Sequence, residues 1–529
     1  MKTWVKIALI AWLWLLTINT GMMETTDTYV RVQMAHAWVT GQPEIPENYQ
    51  PSYRGDPNAG ILGLDRQRYS SYDVGQSLLI LPSNWLGMKL GRFFPELAER
   101  QLLRFWVINF VTFIPLNVAV IMASFWLLRL FNFSAEIAGI SSLCLLLGTT
   151  VLSYAQVAHQ NNQVLLFVIL GHGCILSYLQ KAKPIWLFLA GLCLGLALLI
   201  RSTSIIHLLT VGLFLTACLI YRYGNLSKIT KLISFYLLGL IPFSLLGNIL
   251  NYFRLGIFRK NPQMLGKEQL NSDPIYAQFP LLPDNYPFVK PMSEGILGVL
   301  LSPGKSIFIY DPLLIPGLII LGKHWRNIAP YLKLYLLSIV LNIALFTLAL
   351  SRVTFWHGDS AWGARYQITS VHLLMIPLLA LFVQEILISQ KIKKILLIFV
   401  LLISLFIQGI SVTLPYNLPI RQEMVKVNPE AIDVHDRNMS FRLVRQLENL
   451  IVFWRYQQEN QELEQLSEES QIAIKYLKIT FLPFTFRDLV IKNNYQSLEN
   501  LSRLLIIMWW LIFALAIVLT MTWLRKALL

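Results

Sequence analysis

The chain has 529 residues, 55% hydrophobic and 14% charged, with a mean hydropathy of +0.55 and a formal charge of +15. Soluble domains carry about 25% charged residues, so this apolar content excludes a water-soluble globule and makes lipid the solvent. The cations cluster beside apolar runs in the positive-inside pattern, which argues against nucleic acid as a partner and points to anionic membrane lipids.

The first apolar run, Val5–Met22, follows Lys2 and Lys6 and leads into Thr20-Gly21-Met22-Met23-Glu24. No small-residue cleavage site follows it, so it reads as an uncleaved span with a cytoplasmic N-terminus. The remaining runs thread as spans 103–130, 136–153, 161–180, 184–200, 204–221, 230–252, 307–323, 331–351, 367–385, 393–413 and 504–524, about twelve in all. The segment Ser77–Leu90 is apolar but brief, and reads as interfacial or re-entrant. Every turn assigned to the cytoplasm carries a cation: Arg129; Lys181 and Lys183; Arg222, Lys228 and Lys231; Lys323 and Arg326; Lys391, Lys393 and Lys394; then Arg525 and Lys526.

The expected fold is an all-α polytopic membrane protein with both termini cytoplasmic. A transmembrane module covers 1–413, with external loops 23–102 and 253–306. An external helical domain covers 414–503, and a last helix with a cytoplasmic tail covers 504–529. Reporter fusions after Lys183 and Lys394 are expected to read cytoplasmic, and fusions within 253–305 are not. The reverse result for either would overturn the threading. Cys144, Cys174, Cys193 and Cys218 lie inside spans without metal-ligand spacing and read as packing residues. Gly191 and Gly195 have the GxxxG spacing of a helix-packing face. His172 and His207 also fall within spans and read as packing residues.

The polar clusters then fall at one lip of the membrane. Asp27, just past the first span, can take a proton from an acceptor hydroxyl, or can cap the amphipathic run Tyr29–Trp38. Arg66 to Leu79 holds Arg68, Tyr69 and Asp73; its arginines can clamp a phosphate or meet lipid head groups. Arg201 sits at an outer helix end, where it can snorkel or bind a lipid phosphate. Leu301 to Ser306, with Lys305, lacks P-loop spacing and is not a nucleotide site. Trp356 to Tyr366 packs His357, Asp359, Arg365 and two Trp into eleven residues, more than aromatic anchoring needs. Gln156, His159, Gln160, Asn161, Asn162 and Gln163 read as a solvated outer turn.

In order, these pieces resemble the GT-C glycosyltransferases of the phospholipid carrier-dependent type, which include protein O-mannosyltransferases and lipid A aminoarabinose transferases. The resemblance rests on Asp27 after the first span and on Arg68 to Leu79. It continues through Gly195 to Thr203, Asn251 to Gly256 and Leu301 to Lys305. It ends at Trp356 to Tyr366, similar to a Trp-x-Gly-Gly-x-x-Trp-Gly-x-Arg-Tyr pattern. The chain departs from the pattern at Tyr72-Asp73-Val74-Gly75, where relatives have Tyr-Gly-Pro-Gly, and at Asp359 in place of the second loop glycine.

The resemblance implies an inverting transfer of sugar from a polyprenyl-phosphate donor on the extracytoplasmic face of a plasma (inner) membrane. The acceptor is a glycan, lipid or protein. Asp27 would be the base, with Asp73 and Asp359 as second-rank acids. Arg365, Arg201, Lys305, Arg68, His357, Tyr366 and Tyr69 would bind substrate or its phosphate. No cofactor is required; a divalent metal serves some members, but one acid at a span exit is not a metal cage. The rival readings are a transporter or flippase of lipid-linked sugars, which would place charges mid-span, and a lipid-linked oligosaccharide ligase or polymerase.

Overall fold

The computed structural model describes residues 2–95, 97, 101–258, 261–358, 361–424, 441–459 and 462–528. Among them the only strands are the two-residue pair Ile61–Leu62 and Arg68–Tyr69, antiparallel with Ile61 opposite Tyr69. The rest of the regular structure is helical. Eight described helices are long and apolar enough to span: Leu102–Leu130, Gln160–Lys181, Ser202–Tyr223, Leu226–Leu255, Pro330–Leu350, Ile368–Ile388, Lys391–Thr413 and Gln496–Arg525. Shorter apolar helices are Thr3–Ile18, Ala135–Leu147, Ile185–Ile200 and Met292–Leu301.

Length alone therefore does not reach the expected twelve. Two candidate spans are broken. Span 136–153 stops at Leu147 and resumes as Val151–Gln156, and span 307–323 divides into Ile307–Tyr310 and Leu314–His324. The two breaks meet. Asp311 accepts from the Thr150 backbone N–H at 2.7 Å and from its hydroxyl at 2.9 Å, and Thr150 Oγ1 lies 2.8 Å from His372 Nε2. Interrupted backbone at membrane depth survives only where protein groups satisfy it, and Asp311 supplies that partner at zero exposure. The Ser77–Leu90 run forms a helix, Gly75–Gly91, with Pro82 inside it.

Burial separates centre from rim. The most apolar windows of Gln160–Lys181 and Ile368–Ile388 are 89% and 83% buried, against 17% for Leu226–Leu255 and 11% for Gln496–Arg525. The first two helices form the axis of the bundle, and the last two show most of their surface to lipid. The terminal helices pair: Trp14 Nε1 donates to Thr520 Oγ1 and Trp509 Nε1 to the Thr17 carbonyl. The GxxxG reading holds as helix packing. A Cβ on Gly191 would lie 2.0 Å from the Tyr236 carbonyl oxygen, and one on Gly239 would lie 2.1 Å from that of Phe188. His172 and His207 pack on aromatic rings, at 4.8 Å from Tyr335 and 4.8 Å from Phe346. Cys144, Cys174 and Cys218 are buried free thiols.

The loops 23–102 and 253–306 interlock. Arg54 donates to the carbonyls of Leu270, Tyr276, Phe279 and Pro280, and Arg254 forms a forked pair with Glu44 at 2.7 Å to each oxygen. The segment after Thr413 folds as helices Leu418–Met424, Arg442–Glu459, Glu468–Tyr476 and Leu482–Lys492. It packs back on the bundle: Leu482 N–H donates to Asn19 O at 2.7 Å, Thr480 to Val412 O at 3.1 Å, and Phe486 lies against Trp106.

Candidate active site

Asp27 is the second residue of helix Thr26–Thr40. The Thr25 side chain caps that helix by accepting from the Thr28 N–H, so the carboxylate is released from the capping role the sequence allowed. One carboxylate oxygen accepts from the Tyr72 hydroxyl at 2.6 Å, and the other from Arg365 Nη2. The Asp27 and Arg365 side chains are 19% and 17% exposed, withdrawn from water yet still reachable.

Arg31, one turn further, is almost wholly buried. It donates to the Asp27 carbonyl at 2.8 Å, and its guanidinium lies 4.0 Å above the Tyr72 ring. Ser77 Oγ donates to the Arg31 carbonyl at 2.9 Å, fastening the Arg66–Leu79 run to this helix. Asp73 accepts from the Ser202 N–H at 2.8 Å, and Arg201, beside it, lies 5.3 Å over the Tyr366 ring.

Burial works to raise the Asp27 carboxyl, but Arg365, Arg31 and the Tyr72 hydroxyl together outweigh it and hold the group far below the ordinary carboxylate range. Burial of Arg365 is likewise outweighed, chiefly by Asp27, and its guanidinium is held more firmly charged than usual. Asp73 shifts the other way: burial raises it, against the Ser202 N–H and Arg31.

The turn 156–163, expected to be solvated, is instead buried throughout its six polar side chains. Five of the six bond to protein, while Gln163 is buried with neither side-chain polar atom paired. Gln156 donates to the carbonyls of Ile18 and Val412, Gln160 to Ile200, Asn161 to Arg365, and Asn162 to Asn117 Oδ1. His159 Nε2 lies 3.2 Å from the Tyr416 hydroxyl, and Ala158 O accepts from both Thr28 and Gln76. This turn holds the backbones bearing Arg201 and Arg365 in register with Asp27. A run of six amides and imidazoles in so apolar a chain was the available signal. Arg31 and Tyr72 gave a weaker one, because each also fits an amphipathic face or an interfacial loop.

The other expected residues divide. Lys305 is fully buried and donates to the Ala361 carbonyl at 2.6 Å; Arg442, which the sequence did not single out, donates to the same oxygen at 3.1 Å. His357 is buried against the Trp356 ring. Gly358 has φ +68°, and a Cβ there would meet Arg365 Cβ at 2.5 Å, so the loop needs glycine to seat Arg365. The contacts of Arg68 and Tyr69 lie in the loop layer: Arg68 forks onto Asp273 at 2.6 and 2.8 Å, and Tyr69 donates to Asp65 at 2.6 Å. Asp359 lies outside the described residues. Among the described residues no group of three His, Cys, Asp or Glu side chains is placed to hold a metal.

The joined pieces are two acids, Asp27 and Asp73, among Arg31, Arg201 and Arg365, where an apolar bundle meets its loops. Such a cluster can bind an anionic group beside a proton acceptor. No curated protein matches the chain. Residues 87–254 match the family model described as dolichyl-phosphate-mannose-protein mannosyltransferase; the stretch contains Arg201 and the buried polar turn, while Asp27 and Arg365 lie outside it. Over that stretch, about a third of the chain, the protein is similar to a mannosyltransferase family.

Proposed function

We propose that this chain is an inverting glycosyltransferase of the extracytoplasmic membrane face, moving a sugar from polyprenyl phosphate to a hydroxyl acceptor. The observation that carries the reading is the ion pair of Asp27 with Arg365, set beside Arg31 and Arg201. In the resting protein the pair makes Asp27 a weak base. An arriving donor phosphate competes for Arg365 and Arg201, which draws cation charge off the carboxylate and raises its basicity.

The acceptor oxygen then forms a bond to the anomeric carbon as the carbon–oxygen bond to phosphate breaks. The hydroxyl proton passes to Asp27, and the electron pair leaves on the polyprenyl phosphate, which the arginines stabilise. The acid serves the incoming hydroxyl and the cations serve the leaving phosphate. Sidedness rests on the basic cytoplasmic turns read from the sequence.

Arg365→Ala tests this reading. In lipid, with labelled polyprenyl-phosphate sugar, the variant is expected to lose donor binding and transfer together, by about 2–4 kcal/mol. Unchanged donor binding would remove Arg365 from the phosphate site. Movement of the labelled sugar across the membrane without an acceptor product would favour a flippase.

A further inference from the structure

Glu24, three residues before Asp27, lines a cavity of about 510 Å³, within the range of small-molecule sites. It opens between the start of helix Leu102–Leu130, the Met22–Glu24 link and the segment after Thr413. Its wall holds Arg421, Lys478 and Lys492 against Glu24 and Asp488, three cations to two carboxylates. Trp106 and Tyr476 give it an aromatic side, and the Arg421 guanidinium sits 4.3 Å over the Tyr476 ring. Burial pushes the Glu24 carboxyl up, against Lys478 and Arg421.

The cavity is tied to the reaction centre through the chain and through two hydrogen bonds. Glu24 precedes Asp27 by three residues, a chain distance of at most about 11 Å. Asn417 donates to the Glu24 carbonyl at 3.1 Å, and the neighbouring Tyr416 hydroxyl reaches His159 in the buried turn. The polyprenyl donor is a lipid and approaches from the bilayer. This cavity is instead walled in large part by the segment that caps the bundle, which places three cations on an otherwise largely apolar wall.

Building on the proposed transfer reaction, we propose that this cavity is the acceptor site and that it takes an acidic glycan. Its acid group rests on Arg421, Lys478 and Lys492, its sugar rings lie along Trp106 and Tyr476, and its reacting hydroxyl extends to Asp27. The segment 414–503 is then the acceptor-selecting part of the enzyme, supplying all three cations.

The test uses the full chain in lipid nanodiscs and isothermal titration with trigalacturonic acid and with maltotriose, one acidic and one neutral trisaccharide. The acid is expected to bind at least tenfold more tightly. Lys478→Glu with Lys492→Glu, both at exposed positions, is expected to erase that preference while binding of polyprenyl-phosphate mannose stays unchanged. Equal or absent binding of the two saccharides, or a preference that survives the charge reversal, would overturn the acceptor assignment. So would preferential binding of a neutral serine-rich peptide. Donor binding is measured on the same preparation. Its absence from the unaltered protein, or its indifference to Arg365→Ala, would strike the transfer reaction itself rather than the acceptor class.

Discussion

Asp27→Asn is expected to cut glycosyl transfer by at least about a hundredfold while leaving donor binding intact or tighter. The amide is close to the carboxylate in shape, and the Tyr72 hydroxyl can still donate to its oxygen. It cannot take the acceptor proton, and general-base catalysis typically supplies about 10²–10⁴-fold. Donor binding should not fall, because the substitution removes the anion that occupies Arg365 in the resting protein. Opposite effects on binding and turnover separate a catalytic role from a structural one, since a misfolded variant would lose both. Transfer retained by Asp27→Asn would move the base elsewhere, with Asp73 and Asp359 as the next acids.

The linkage sign for Asp27 follows from its lowered folded pKa. The stabilisation from the pair is present above the ordinary carboxylate pKa of about 4 and is lost only as pH falls from there through the depressed folded value. The pair therefore contributes no change in stability across neutral pH.

The second large effect is on packing. Gly191→Ala is expected to destabilise the protein by roughly 3 kcal/mol, at the upper end of what overpacking costs. The added Cβ would stand 2.0 Å from the Tyr236 carbonyl oxygen, which is backbone and cannot rotate away. Helices Ile185–Ile200 and Leu226–Leu255 would have to part along their shared face, and the first of them ends at Arg201. Gly212→Ala makes the same chemical change where the nearest atom is 3.7 Å away, an ordinary contact, and should be close to neutral. Thermal unfolding midpoints of the two variants in one detergent give the comparison. Similar midpoints would mean that the glycine face is not closely packed.

Acceptor and donor are drawn to different parts of the proposed site. The donor cations come from widely separated positions on the bundle and its loops, Arg31, Arg201 and Arg365, while the cavity cations come from one segment. A substitution in that segment should therefore change what is glycosylated before it changes whether the carrier is used.

The sequence by itself determined the membrane character, the helical class, the cation at each turn assigned to the cytoplasm and the packing role of Gly191. Each depends on residues close together in the chain: an apolar run, a charge beside it, or a four-residue spacing on one helix face. It also brought out Asp27 and Arg365, the first as a carboxylate just past a span exit and the second as one of three charged or titratable residues packed with two Trp into an eleven-residue loop. Tertiary structure alone decided which charges meet. Arg68 and Arg365 looked alike as loop arginines, yet one is spent on Asp273 and the other on Asp27. The 156–163 turn could have been solvated or buried, and only the packing of Arg365, Ile200 and Ile18 around it decided for burial, with donors of Gln156, Gln160 and Asn161 turned to their carbonyls. The interruptions at Gly148 and Asp311 were hidden inside apolar runs, because hydropathy counts surface and does not register that one carboxylate holds two broken helices together.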